Sequence, residues 1–128
     1  MSYYFCKTLD LPFEDALARV AEELQKEGFG VLTEIDVKAT LKEKLGADFR
    51  NYRILGACNP PYAHEALKAE DKIGTMLPCS VTVQETPDGA VEVAAIDPVA
   101  SMQAVENASL APVASQIQAK LKAVIENL

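Results

Sequence analysis

The chain has 128 residues, 49% of them hydrophobic and 24% charged, with a net charge of −7 and a pI near 4.7. One globular domain spanning residues 1–128 fits that size and balance, and disorder does not. The acidity repels phosphate backbones and anionic lipid, and no apolar run nears the roughly 20 residues of a membrane span, so neither nucleic acid nor membrane is expected as a partner. Three widely spaced cysteines suit a reducing, cytoplasmic compartment better than a disulfide framework. The N-terminal residues lack the basic and apolar regions of a secretory signal. With no tryptophan and 6% aromatics, stacking platforms for sugars or bases are not expected.

Tyr3 to Thr8 reads as a strand, with aromatics and Thr at its ends. Asp10-Leu11-Pro12 opens a helix, since proline's missing N–H has no helical partner in a first turn. Phe13, Ala16, Leu17, Val20, Ala21 and Leu24 then make one apolar stripe, with Glu14, Glu22, Glu23 and Lys26 on the wet side. Gly28 ends the helix, because glycine takes positive φ cheaply. Phe29 to Ile35 is a second strand. Asp36 caps a short helix with apolar positions at Val37, Leu41 and Leu45, closed by Gly46. Tyr52 to Ala57 is a third strand. Asn59 stands before Pro60, which pushes it to the extended geometry of an N-cap, and a helix runs from Pro60 to about Ala69.

Cys79 to Glu85 alternates, with Cys79, Val81 and Val83 facing one way. Thr86-Pro87-Asp88-Gly89 is a turn, and Val91 to Ile96 returns as its hairpin partner. Residues 99–108 have room for one helical turn. A last helix starts at Ser109 and carries Leu110, Val113, Ala114, Ile117, Leu121, Val124, Ile125 and Leu128 on its apolar face. The order β-α-β-α-β-α-β-β-α predicts an α+β, two-layer sandwich of helices on a mostly antiparallel, mixed sheet. The hairpin fixes one antiparallel pair, and the rest of the strand order is open.

Three stretches carry a resemblance. They are Glu27 to Leu32 with Glu34-Ile35-Asp36, then Leu55-Gly56-Ala57-Cys58-Asn59-Pro60, then Leu77-Pro78-Cys79-Ser80-Val81, followed by Asp88-Gly89 and Asp97-Pro98. Together they resemble the domain-of-unknown-function 302 family over nearly the whole chain. The family is mostly bacterial and archaeal. The resemblance implies a compact α+β domain that forms a homodimer, and implies no agreed activity.

The residues with most chemistry are Cys58, Asn59, His64 and Cys79. Cys58 lies where a strand hands over to a helix N-terminus, a setting that favours thiolate. His64 follows about one turn into that helix, and the two thiols can approach if the third and fourth strands are neighbours. Three readings compete. The group binds a soft metal through Cys58, His64 and Cys79; it is a redox or sulfur-carrying thiol pair; or Cys58 is a nucleophile with His64 as base. The spacing matches no standard zinc pattern, and three ligands are one short of a structural site. Against all three stands plain packing, since free cysteine behaves as a small hydrophobe and Cys79 shares a face with Val81 and Val83. Cys6 is read as packing too.

Asn59-Pro60-Pro61 is simplest as a cap. Its functional version is an anion held at the helix N-terminus, with Gly56 allowing close approach and Arg53 as helper. Tyr52 and Tyr62 are read as half-buried packing with wet hydroxyls. Glu34 and Asp36 point the same way and so offer an acid–base pair, but a solvated charge and a helix cap account for them. Lys38, Lys42 and Lys44 are a solvated helix face. The functional expectation is a binding module for a metal ion, a thiol compound or a small anion at the junction around Cys58, with no cofactor called for. The alternatives are a homo-oligomeric interaction protein without pocket chemistry and a thiol-dependent enzyme.

Overall fold

A computed structural model describes residues 2–128. Five strands, β1 (Tyr4–Leu9), β2 (Gly30–Asp36), β3 (Tyr52–Cys58), β4 (Cys79–Glu85) and β5 (Val91–Ile96), form one sheet in the order β1-β5-β4-β3-β2. All four pairings are antiparallel, so the sheet contains no parallel pair among the described residues. The helices are α1 (Phe13–Lys26), α2 (Val37–Leu45), α3 (Pro60–Ala69), the single turn α4 (Pro98–Ser101) and α5 (Ala111–Glu126). Short 3-10 turns cover Ile73–Met76 and Ala108–Leu110. The α+β sandwich expected from the sequence is the fold observed.

Period-two alternation decides which face of the sheet is covered. Cys79, Val81 and Val83 of β4 and Val91, Val93 and Ala95 of β5 are buried, together with Leu55 and Ala57 of β3. Onto them pack Phe13, Ala16, Val20 and Leu24 of α1 and Ile117, Leu121, Val124 and Ile125 of α5. Each such aliphatic side chain contributes roughly 1.5–3 kcal/mol when taken fully out of water. The opposite face, with Thr82, Gln84, Glu92 and Ala94, stays half-exposed. A second, smaller apolar cluster of Ala66, Ile73, Met102, Leu110 and Ala114 lies beside the main core.

Local chemistry sets the element ends. The α1 terminus is a Schellman turn: Phe29 N–H donates to Leu24 O at 2.9 Å, Gly28 N–H donates to Gln25 O at 3.0 Å, and Gly28 has φ +87°. Asp36 Oδ1 accepts from Ala39 N–H at 3.0 Å, capping α2 as its sequence position predicts. Asp97 caps α4 and is itself gripped by Gln118 of α5. Lys7 of β1 donates to Leu128 O and Glu126 O, and Arg19 of α1 donates to Asn127 O, so two cations meet the carbonyl end of α5.

Three expectations change. Glu23 is buried rather than wet, because Lys26 Nζ lies 2.9 Å from its carboxylate and Arg19 stands 3.8 Å away. Cys6 is exposed: it pairs with Ala94 and so belongs to the face that α1 and α5 leave open. The short helix α2 buries none of its residues, and Leu45 is 74% exposed.

Gly56 is where the sheet is tightest. A Cβ placed there would clash with Thr33 Oγ1 of β2 and lie 2.7 Å from Pro78 Cγ, beside the cis Leu77–Pro78 bond. Thr33 is held by its pairing with Gly56, and Pro78 stands immediately before β4. Gly56→Ala is expected to lower the unfolding free energy by about 2 kcal/mol, read from urea titrations, as an overpacked core position does. An unchanged midpoint would show that Thr33 and Pro78 move aside freely.

Candidate functional site

The register of the sheet brings Cys58 and Cys79 close. Ala57 pairs with Cys79 across β3 and β4, so Cys58 is one residue beyond that pair. The two thiols are both free and both line one cavity of about 260 Å³. Phe29 and Leu32 of the α1–β2 region, Ala57 to Asn59, and Leu77 to Cys79 form three of its walls. Ala63, Ala66 and Leu67 of α3 form another, while Met102 and Ile117 complete it. The cavity is therefore a seam between the main core and the smaller cluster. Leu32 and Leu67, 66% and 44% exposed, mark its open side.

Leu32 reaches the rim because β2 is irregular. The pairing with β3 shifts register between Val31 and Thr33, leaving Leu32 as the extra residue of a bulge. A bulge re-aims a side chain that strict alternation would send elsewhere. No turn or glycine signal in the sequence marks it.

Cys79 is 6% exposed. Burial, and secondarily the charge that Cys58 would carry, push its thiol up to about 11. At neutral pH it is a protonated wall atom. Cys58 is half-buried and is the more accessible of the two cavity thiols.

Asn59 occupies the N-cap position of α3 with extended dihedrals, yet its side chain makes no cap bond. Instead Nδ2 donates to Glu27 O at 3.0 Å. It also lies 3.1 Å from where a Gly28 Cβ would stand. Asn59 thus ties the start of α3 to the end of α1, which fixes two walls of the cavity relative to each other. The helix N-terminus itself offers few donors. Pro60 and Pro61 have no N–H, and Ala63 N–H is spent on Asn59 O at 3.0 Å.

Arg53 does not belong to this site. It lies on the helix-covered face, five residues from Cys58 along β3, or roughly 17 Å at the usual strand rise. Its guanidinium meets Glu34 at 2.5 Å, Asp36 at 3.4 Å and Glu14 at 3.8 Å. Glu34 and Asp36 do share a face, as the sequence predicts, and Arg53 is what they hold. His64 is exposed on α3 and contributes nothing to the lining, which the helix supplies from positions 63, 66 and 67. Among the described residues no three His, Cys, Asp or Glu side chains gather closely enough to hold a metal ion. The expected ligand set of Cys58, His64 and Cys79 is therefore not assembled: only the two cysteines meet. Tyr62 stands outside the cavity, its hydroxyl donating to Gln116 at 2.8 Å, and Tyr52 is on the open sheet face.

The model of the Domain of unknown function DUF302 matches residues 5–128. The chain belongs to the DUF302 family. A crystal structure of an uncharacterized conserved DUF302 protein from Bacillus stearothermophilus is similar to it, with a TM-score of 0.91 and 28% identity over 98% of each chain. No curated protein sequence matches the chain. The three stretches that carry the DUF302 resemblance in the sequence are the ones that converge on the cavity: residues 27–32, 55–60 and 77–81 each contribute lining.

The raised Cys79 thiol has a consequence at high pH. An acid whose pKa is higher folded than unfolded keeps its proton longer in the native state, so stability is intact below pH 9 and is lost as pH rises toward 11. Two units correspond to roughly 3 kcal/mol. Urea unfolding of the wild type should therefore weaken more between pH 9 and pH 11 than that of Cys79→Ala. Parallel pH profiles for the two proteins would mean that the thiol ionises freely in the fold.

Proposed function

We propose that this DUF302 domain is a binding module whose cavity, at the junction around Cys58, takes a small and mainly apolar molecule. One observation carries the reading: a seam of about 260 Å³ between two apolar clusters is walled almost wholly by aliphatic and aromatic side chains and still opens to solvent. Apolar cavities of about 150 Å³ already stay dry and take up benzene, so this one exceeds what a ring-sized guest needs. Among the ligand classes named from the sequence, a thiol compound fits best, because Cys58 faces the guest and the rest of the wall is apolar. A small anion finds no cation in the lining and little help from a helix that begins Pro-Pro. A metal ion finds two thiols and no third His, Cys, Asp or Glu beside them among the described residues. A catalytic role for Cys58 lacks a base, since His64 faces away.

Benzene tests the reading without presuming the natural ligand. Saturating benzene should slow carbamidomethylation of Cys58 by iodoacetamide several-fold while leaving exposed Cys6 unchanged as an internal reference. Ala63→Leu, which fills part of the cavity, should remove the protection. Equal Cys58 rates with and without benzene sink the proposal.

A second reading, self-association, rests on a different surface. The helix α2 has no buried residue and leaves Leu45 exposed, and β2 exposes Ile35 on the sheet face that α1 and α5 leave open. Exposed apolar side chains on a protein otherwise so acidic suit a face that is covered in use. We propose that a second copy of the chain covers it, giving a homodimer through α2 and the adjoining sheet. Light scattering should report a dimer, and Leu45→Glu should convert it to a folded monomer. A wild-type monomer at high concentration removes this reading and leaves the cavity proposal untouched.

A further inference from the structure

We propose that the cavity continues past Met102 into a second one, and that the pair accommodates an unbranched alkyl chain with an uncharged, hydrogen-bonding head. This rests on the binding-module reading above and specifies the class of its ligand. A second cavity, of about 200 Å³, lies between α4 and the start of α5. Among the described residues, Met102 is the single side chain that lines both. Methionine is unbranched, with three rotatable bonds, and fills gaps without fixing them. A rotamer change at Met102 therefore merges the two spaces into one channel, at the cost of moving one thioether rather than any backbone. Met102 also lines a third cavity, which shares Leu77, Pro78 and Cys79 with the first.

The walls assign the orientation and the head. The first cavity is apolar nearly throughout, which suits a tail. The second adds Gln103, Asn107 and Ser115. Asn107 is already committed, donating to Ala69 O and Glu70 and accepting from Ser109 N–H. Gln103 and Ser115 are exposed at the rim and are left to meet a head group. No lysine or arginine lines either cavity, so a carboxylate head would gain no ion pair there while it adds charge to an already acidic protein. A neutral head such as an alcohol or primary amide avoids that penalty.

The experiment is a chain-length series of n-alkanols from n-butanol to n-dodecanol, followed by amide correlation NMR and by protection of Cys58. Short members should shift only amides around Ala63 and Leu67. Longer members should also shift Gln103 and Ser115, with affinity rising about fourfold per added methylene. Met102→Phe, which blocks the junction, should abolish the long-chain gain. Met102→Ala, which opens it, should strengthen the long-chain members selectively and decides the matter alone if the Phe variant does not fold. Decanoate should bind at least tenfold more weakly than n-decanol. The inference is overturned, with the binding module standing, if Gln103 and Ser115 never respond, if both Met102 variants keep the wild-type length dependence, or if decanoate equals n-decanol. If neither benzene nor any alkanol shields Cys58, both readings fall.

Discussion

The close approach at Gly56 is the constraint on which the site depends. Thr33 of β2 and Pro78 before β4 both press on a position that has no side chain. Their contact sets where the second strand and the Leu77–Cys79 segment meet the third strand. From there geometry follows: Phe29 and Leu32 arrive on one side, Leu77 and Cys79 on the other, with Ala57 to Asn59 between them. The Asn59 bond to Glu27 O adds the angle at which α3 leaves the sheet. The cavity is what remains when these walls are fixed before the two apolar clusters can close on each other.

Much of the fold is legible in the residues. Strict alternation in β4 and β5, the stripes of α1 and α5, and the Pro-Asp-Gly turn each allow one local structure, and each is found. Gly28, Gly46 and Gly89 all take positive φ where their turns require it. Single-chain periodicity fails where burial is decided by partners distant in sequence. Glu23 looks solvent-facing until Arg19 and Lys26 fold over it. Cys6 looks like core until the strand order shows that its face is uncovered. The stripe of α2 is a genuine helical stripe, but its contacts with β2 and β3 leave Val37 and Leu41 only half-buried and Leu45 exposed.

The site was less legible, for the same reason. Cys58 and Cys79 meet because β3 and β4 are neighbours, which no local pattern dictates. Arg53 shares the helix-covered face with the cavity wall but lies five residues along β3 from Cys58, and three carboxylates claim it. His64 is a single helical step from the lining, and that step turns it outward. The two features that make the cavity, a bulge at Leu32 and a seam between two cores, leave no mark in spacing or composition. Asn59 is the instructive case: its backbone adopts the cap geometry that its place before Pro60 dictates, while its side chain serves another segment altogether.

The bulge on β2 also bears on how copies of this chain can meet. The strand is an outer edge of the sheet, with backbone donors and acceptors facing outward, and a regular edge would invite strand addition. One surplus residue breaks the repeat of those groups and twists the strand locally. Continuous ribbons of sheet, the route to fibres, are thereby disfavoured. An irregular outer strand therefore leaves the side-chain faces of the domain, rather than its backbone edge, as the surface open to other molecules.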